Sequence, residues 1–222
     1  MHLTKTQRLF LCVAVPALIA VAVPAAHAVF KLGFHGGDGR ISTATGDWAP
    51  QQNKGECGGG HRLMVGVASA TNGTFTDAIL CHNSISGHDV DPMNGITLSG
   101  LRWGDNRRDT STGDWAPNLI KGECAANEIM TGLAQTTNPN AALDRARCSP
   151  LLHPSARALT CSPQYFGASD SPAGGGIYGD WDPGYRKGTC PSGRAVKGVA
   201  MNNASGNANS VRSVLCCTYG VP

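Results

Sequence analysis

The chain has 222 residues, 41% apolar but only 6% aromatic, and its 18 Lys/Arg against 15 Asp/Glu leave a formal charge of +3. So small an excess, with no Lys/Arg run, removes charge as a reason to expect nucleic acid or an anionic membrane as partner. Nine cysteines and 29 glycines point instead to a loop-rich, cross-linked protein.

The N-terminus reads as a secretory signal: Lys5 and Arg8, an apolar run from Leu9 to Val23, and the small-residue site Ala26-His27-Ala28. Pro16 and Pro24 interrupt the run, which is too short for a membrane anchor, so no membrane insertion is expected. Cleavage after residue 28 leaves 194 of the 222 residues, starting at Val29. It removes Lys5, Arg8 and Cys12, so the charge falls from +3 to +1 and the cysteines from nine to eight. An even number of cysteines in an exported chain, without any C-x-x-C pair, predicts four disulfides rather than a metal or redox site. A secreted, extracellular or periplasmic location follows.

The mature chain then states one theme three times. Gly46-Asp47-Trp48-Ala49-Pro50 with Lys54-Gly55-Glu56-Cys57 returns as Gly113-Asp114-Trp115-Ala116-Pro117 with Lys121-Gly122-Glu123-Cys124. It returns again as Gly179-Asp180-Trp181-Asp182-Pro183 with Lys187-Gly188-Thr189-Cys190, at offsets of 67 and 66 residues. Repetition at a fixed period sets the architecture before any residue-level reading. Upstream of the first motif, Gly33 to Arg40 aligns with Gly100 to Arg107, and Tyr165 to Asp170 is a looser third version.

After each motif comes a short apolar stretch with a glycine at the same place: Arg62–Ala68, Glu128–Ala134 and Arg194–Ala200. Length and β-branched content predict strands, and the shared glycine predicts a bulge or a close backbone approach. A polar turn follows, clearest at Asn72-Gly73, and then a second strand ending in Cys81, Cys148 or Cys216. The cysteine intervals of 24, 24 and 26 residues predict the bridges Cys57–Cys81, Cys124–Cys148 and Cys190–Cys216, leaving Cys161 to pair with Cys217. The expected fold is all-β: a signal over 1–28, then three homologous disulfide-stapled hairpin modules over 29–95, 96–160 and 161–222. Three copies of one length admit a pseudo-threefold arrangement.

The chemistry is sparser. A carboxylate beside an indole is a common way to hold a sugar, and three copies supply multivalency. The competing reading is a turn with a core Trp, its Asp tied to nearby backbone. Structure is the commoner role for a shared aromatic, so Trp48, Trp115 and Trp181 are assigned to the core. Ligand contacts are assigned to Asp47, Asp114 and Asp180 and to the unshared aromatics Trp103, Tyr178 and Tyr185. Lys54, Lys121 and Lys187 read as solvated or loosely paired with the motif Asp. His61, His82 and His88, with Asp89 and Asp91 nearby, define an alternative: a small extracellular hydrolase with its site in the first unit. No H-E-x-x-H, G-x-S-x-G or phosphate-cradling pattern supports it. Asp89 to Gly95 resembles a calcium loop but reads better as a turn. Asn72-Gly73-Thr74 and Asn203-Ala204-Ser205 match the N-glycosylation pattern, which matters only in a eukaryotic source. The expectation is a non-enzymatic, lectin-like or adhesive protein with a carbohydrate or cell-surface ligand and no cofactor. A structural or inhibitory protein-binding role is the third reading, and the sequence does not set the oligomeric state.

Overall fold

The computed structural model describes residues 29–41, 43–58, 62–83, 89–137, 142–167, 172–173, 177–202 and 210–222. The expected signal peptide, His61, His88 and the Asn203 acceptor lie outside the described residues.

The chain runs through β1 (Val29–Gly33), β2 (Asp38–Arg40), β3 (Gln52–Glu56), β4 (Arg62–Ala70) and β5 (Thr76–Asn83). The same order returns as β6 (Ile96–Leu98), β7 (Asn106–Arg107), β8 (Leu119–Glu123), β9 (Glu128–Thr136) and β10 (Leu143–Pro150). It returns again as β11 (Arg157–Tyr165), β12 (Pro172–Ala173), β13 (Tyr185–Thr189), β14 (Ala195–Asn202) and β15 (Val211–Gly220). A single 3₁₀ turn, Leu101–Trp103, is the one helical element among the described residues. The glycine opening each Gly-Asp-Trp adopts φ between 66° and 69°, a left-handed conformation that explains its place in the motif. Gly73 does the same at φ 77° in the first hairpin turn, donating its N–H to Ala70 O at 2.9 Å.

The strands form three five-stranded sheets, ordered β1-β5-β4-β13-β12, β2-β3-β9-β10-β6 and β11-β15-β14-β8-β7. Each hairpin (β4–β5, β9–β10, β14–β15) is antiparallel and carries the expected bulge beside its glycine, at Met64/Gly66, Met130/Gly132 and Val196/Gly198. The short strand after each motif leaves its own hairpin. β3 pairs with β9 of the second repeat, β8 with β14 of the third, and β13 with β4 of the first.

All four disulfides form with the expected partners. The staple is nevertheless not inside the hairpin. Cys57, Cys124 and Cys190 follow β3, β8 and β13, so each of their bridges joins two sheets. Their backbone N–H groups donate across the junction to Thr131, Lys197 and Val65 carbonyls at 2.8, 3.0 and 2.7 Å. The first cysteine therefore sits before the hairpin, on a strand given to the neighbour. Cys161–Cys217 differs: it links paired positions on adjacent strands of one sheet.

One core is shared by all three sheets. Met64, Val67 and Ile79 meet Met130, Leu133 and Ala146, and Val196, Val199 and Val214, together with six of the cysteines. At the turn end of the hairpins, Thr76 N–H donates to Gln135 Oε1 (3.2 Å) and Val211 N–H to Thr76 Oγ1 (3.4 Å), so the three turn ends come together.

Candidate functional site

The shared motif is a latch between neighbours. Trp48 Nε1 donates to Glu56 Oε2 at 2.8 Å, Trp115 Nε1 to Glu123 Oε2 at 3.0 Å, and Trp181 Nε1 to Thr189 Oγ1 at 3.1 Å. Trp48 and Trp115 are buried and Trp181 half-buried. Each indole edge lies over the hairpin glycine of the next unit: a Cβ on Gly132, Gly198 or Gly66 would meet Trp48, Trp115 or Trp181 at 3.2, 3.0 or 3.2 Å. Both expected meanings of that glycine, bulge and close approach, are realised at once.

The motif lysines correct the sequence reading. Lys54, Lys121 and Lys187 are buried rather than solvated. Lys54 Nζ donates to Ala49 O (3.1 Å) and Gln52 O (2.8 Å), and Lys121 and Lys187 repeat this with Ala116 and Leu119, and Asp182 and Tyr185. The turn carbonyls of Ala49, Ala116 and Asp182 already accept from Gln52, Leu119 and Tyr185 N–H at 3.2 Å, and the ammonium adds a second bond to each. Two carbonyls and the motif carboxylate together satisfy its donors, which is what lets it be buried. Asp47, Asp114 and Asp180 pair with these ammoniums at 3.1, 2.9 and 2.6 Å and remain about half exposed. The hydrogen bonds from Lys54 and Lys121 hold Asp47 and Asp114 below the usual carboxylate range. One edge of each carboxylate is thus used by the fold.

A different surface gathers unshared groups at the turn end. The bulge residue on the second strand of each hairpin is Asp77, Asp144 or Arg212. Such a residue is left out of the ladder and re-aimed, which suits it for contact outside the sheet. Around Asp144, Gln52 Nε2 donates at 2.8 Å, Arg102 Nε stands at 3.4 Å and Arg145 Nε at 3.6 Å. Arg102 also lies over the Trp103 ring, 4.5 Å from its centroid, yet that indole is 77% exposed. Beside them a groove of about 290 Å³ is lined by Pro50, Gln51, Gln52, Thr136, Thr137 and Arg145.

Around Asp77 the same positions carry other groups. Tyr185 stands where Gln52 does, at the start of the donated strand, and His35 where Arg102 does. His35 stacks on Phe75 at 3.8 Å, and Phe75 meets Tyr185 edge-on at 6.2 Å. Lys31 Nζ bonds Asp182 Oδ1 at 2.6 Å and lies 3.7 Å from Asp77 and 5.9 Å from the Tyr185 ring centroid. Burial, then the charges of Asp77 and Asp182, raise the Tyr185 pKa. Trp103 and Tyr185 are therefore placed in two related clusters at separate junctions. Tyr178 is not with them; it packs near His82, 5.8 Å between rings, and burial raises its pKa.

The described histidines have separate surroundings: His35 with Phe75, His82 with Tyr178, and His153 accepting from Ser155 N–H at 3.3 Å. Asp91 closes its own turn by accepting from Met93 and Asn94, as the turn reading expects. Cys124, Glu128 and Cys148 lie within metal-binding reach of one another, but the two thiols are joined in a disulfide. A second pocket, about 310 Å³, lies over Trp115 and Lys197, and the latter ammonium is already held by Asp109 (2.5 Å) and Glu123 (2.9 Å).

Gln52, Asp77, Arg102 and Asp144 escaped the sequence reading because none belongs to the shared motif. The signal that finds them is equivalence of position: Asp77 and Asp144 are 67 residues apart, the repeat offset itself. Comparison of the chain with family models, curated proteins and solved structures found no match.

Proposed function

We propose that this is an exported, non-enzymatic carbohydrate-recognition protein, and that Trp103 with Arg102, Asp144 and the adjoining groove is its principal ligand site. The observation that carries the reading is the Trp103 indole, left 77% exposed beside a carboxylate that three side chains already hold in place. A large exposed ring offers a flat apolar platform for the C–H face of a pyranose. Asp144, Gln52 and Arg102 offer fixed acceptors and donors for its hydroxyls, so little ordering is needed on binding. The Tyr185–Phe75–Asp77 cluster is a second subsite of the same kind, with Asp47, Asp114 and Asp180 as outer contacts. The three units, 29–95, 96–160 and 161–222, are read as pseudo-threefold modules, supported by the cyclic donation of β3, β8 and β13. Four disulfides fit an oxidising compartment.

A glycan array on the mature chain, followed by calorimetric titration of the best oligosaccharide, tests this. Trp103→Ala is expected to weaken binding at least tenfold while leaving the thermal unfolding midpoint within a few degrees, and Asp144→Asn, at a carboxylate only 7% exposed, to weaken binding at least tenfold in the folded fraction. Binding unchanged in both variants, or no glycan bound by the folded protein, rejects the reading.

A further inference from the structure

The third bulge position departs from the other two in charge. Arg212 occupies the place held by Asp77 and Asp144: it falls between Val211↔Met201 and Ser213↔Ala200, as Asp144 falls between Leu143↔Gln135 and Arg145↔Ala134. Its backbone confirms the match, since Arg212 O accepts from Phe166 N–H at 2.8 Å as Asp77 O accepts from Phe34 N–H at 2.9 Å. Arg212 does not stand alone. An ideal Cβ on Gly73 would lie 2.4 Å from one Arg212 nitrogen and 3.3 Å from one Arg186 nitrogen, so the two guanidiniums flank the same turn.

Two cations held that close repel unless something lies between them. Arg186 donates to the Ala70 carbonyl at 3.2 Å and to the Thr71 carbonyl, and Arg212 donates from Nε (3.2 Å) and one terminal nitrogen (3.3 Å) to the Asn202 side-chain oxygen, which leaves its other N–H groups for a ligand. Among the described residues neither forms an ion pair, whereas Lys31, Lys54, Lys121, Lys187 and Lys197 all do. Burial lowers the pKa of both guanidiniums, and the Arg212 charge lowers that of Arg186 further. Arg186 Nε is buried without a hydrogen-bond partner. Ser69, directly across the ladder from Arg186 and so on the same sheet face, is buried with its Oγ likewise unpartnered. Planar guanidiniums with free donors are the groups best suited to a carboxylate or a sulfate.

We infer that Arg186 and Arg212, beside the Thr71–Gly73 turn, form an oxyanion subsite that takes the carboxylate or sulfate group of an acidic glycan. The oxyanion chemistry stands on the arginine pair; its delivery on a sugar rests on the carbohydrate reading above. Turn-end placement of Trp103 and of this pair lets an acidic polysaccharide meet both kinds of site from the same end of the hairpins.

The test titrates the mature protein with inorganic sulfate, with a sulfated disaccharide, with its desulfated counterpart and with a uronate-containing disaccharide, at low and high salt. Arg186→Gln and Arg212→Gln are expected to weaken sulfate and the charged disaccharides at least tenfold each, with neutral glycan binding unchanged. Arg212→Asp, which installs the residue tolerated at the two equivalent positions, should abolish charged-ligand binding and still fold. The sulfated and uronate arms decide which group is preferred. Sulfate binding that disappears in Arg212→Gln supports the subsite even if no glycan binds, in which case only the carbohydrate reading fails. Equal affinity for sulfated and desulfated sugars, insensitive to Arg186→Gln and Arg212→Gln, overturns the subsite and leaves the carbohydrate reading standing.

Discussion

Glu56 and Glu123 are buried carboxylates, and each holds an indole N–H, a threonine hydroxyl and a cation. The cation comes from different positions. Arg147 Nε lies 3.1 Å from Glu56, and Lys197 Nζ lies 2.9 Å from Glu123. Where the third repeat has Thr189 in place of the acid, both cation positions on its partner hairpin are apolar, Val65 and Leu80. Acid and cation therefore change together, as burial of an unpaired charge demands. Arg147→Leu should cost about 3–5 kcal/mol by leaving Glu56 alone in the interior. Adding Glu56→Thr, to imitate the third junction, should restore most of that loss in urea denaturation; a double variant as unstable as the single one rejects the account. Asp182 is the other departure, standing where Ala49 and Ala116 stand, with Oδ2 buried and unpartnered. Burial raises its pKa, and Lys31 only partly opposes this. The folded chain then holds this proton more tightly than the unfolded chain, so stability falls as pH rises from the ordinary carboxylate range through the raised value. Asp47 and Asp114 slope oppositely: with lowered values, their contribution is full above the ordinary carboxylate pKa and lost as pH falls through the lowered one. Asp182→Ala should therefore gain on the wild type as pH rises above the ordinary carboxylate range, read from urea midpoints across that rise. A variant that instead loses ground as pH rises contradicts the assignment.

At the level of elements, the hairpin glycines decide how closely a donated strand and its tryptophan approach. A Cβ on Gly132 would come within 2.9 Å of Gly55 O, and on Gly198 within 3.0 Å of Gly122 O, both backbone atoms that cannot swing aside. Gly132→Ala and Gly198→Ala should each destabilise by about 1–3 kcal/mol. Gly37, with nothing within 4 Å of its would-be Cβ, should accept Ala within about 0.5 kcal/mol. Equal effects at Gly37 and Gly132 in thermal melts would refute the close-approach argument. The hairpins, their glycines and three of the cysteine pairs were legible because period and spacing are properties of one chain segment, and Cys161–Cys217 followed as the two cysteines left over. The destination of β3, β8 and β13 was not. All three hairpins carry the same glycine and the same edge, so the spacing cannot tell whether a motif strand joins its own hairpin or the next. The buried lysines were missed for a related reason: an ammonium is drawn inside by carbonyls of a loop, and loop carbonyls leave no mark in the side-chain sequence. Trp103 stands out in the sequence as an unshared aromatic, whereas Asp144 and Arg102 become candidates only through the bulge and the 3₁₀ turn that set them beside it.

The whole molecule is closed by strand donation from both ends of the chain. The first hairpin takes β13 from the third repeat, the second takes β3 from the first, and the third takes β8 from the second. No repeat completes its own sheet, and three disulfides cross between sheets at these junctions. Pairing of that kind is non-local, so formation of any one sheet requires the others, and folding should be slow and cooperative. The expected result is one unfolding transition, superimposable by tryptophan fluorescence and far-UV circular dichroism. A chain ending at residue 160 keeps two hairpins and two of the junction bridges, but β4 loses β13, β8 loses β14, and the shared core loses Val196, Val199 and Val214. The three buried valines alone, at about 1.5–3 kcal/mol each, amount to a large share of the about 5–15 kcal/mol by which a domain is stable, and the lost strand pairings add to that. The truncated chain should therefore show collapsed proton shifts and mixed disulfides after oxidative refolding. A dispersed spectrum with Cys57–Cys81 and Cys124–Cys148 correctly formed would mean that two repeats suffice, and that β13 decorates the first sheet rather than completing it.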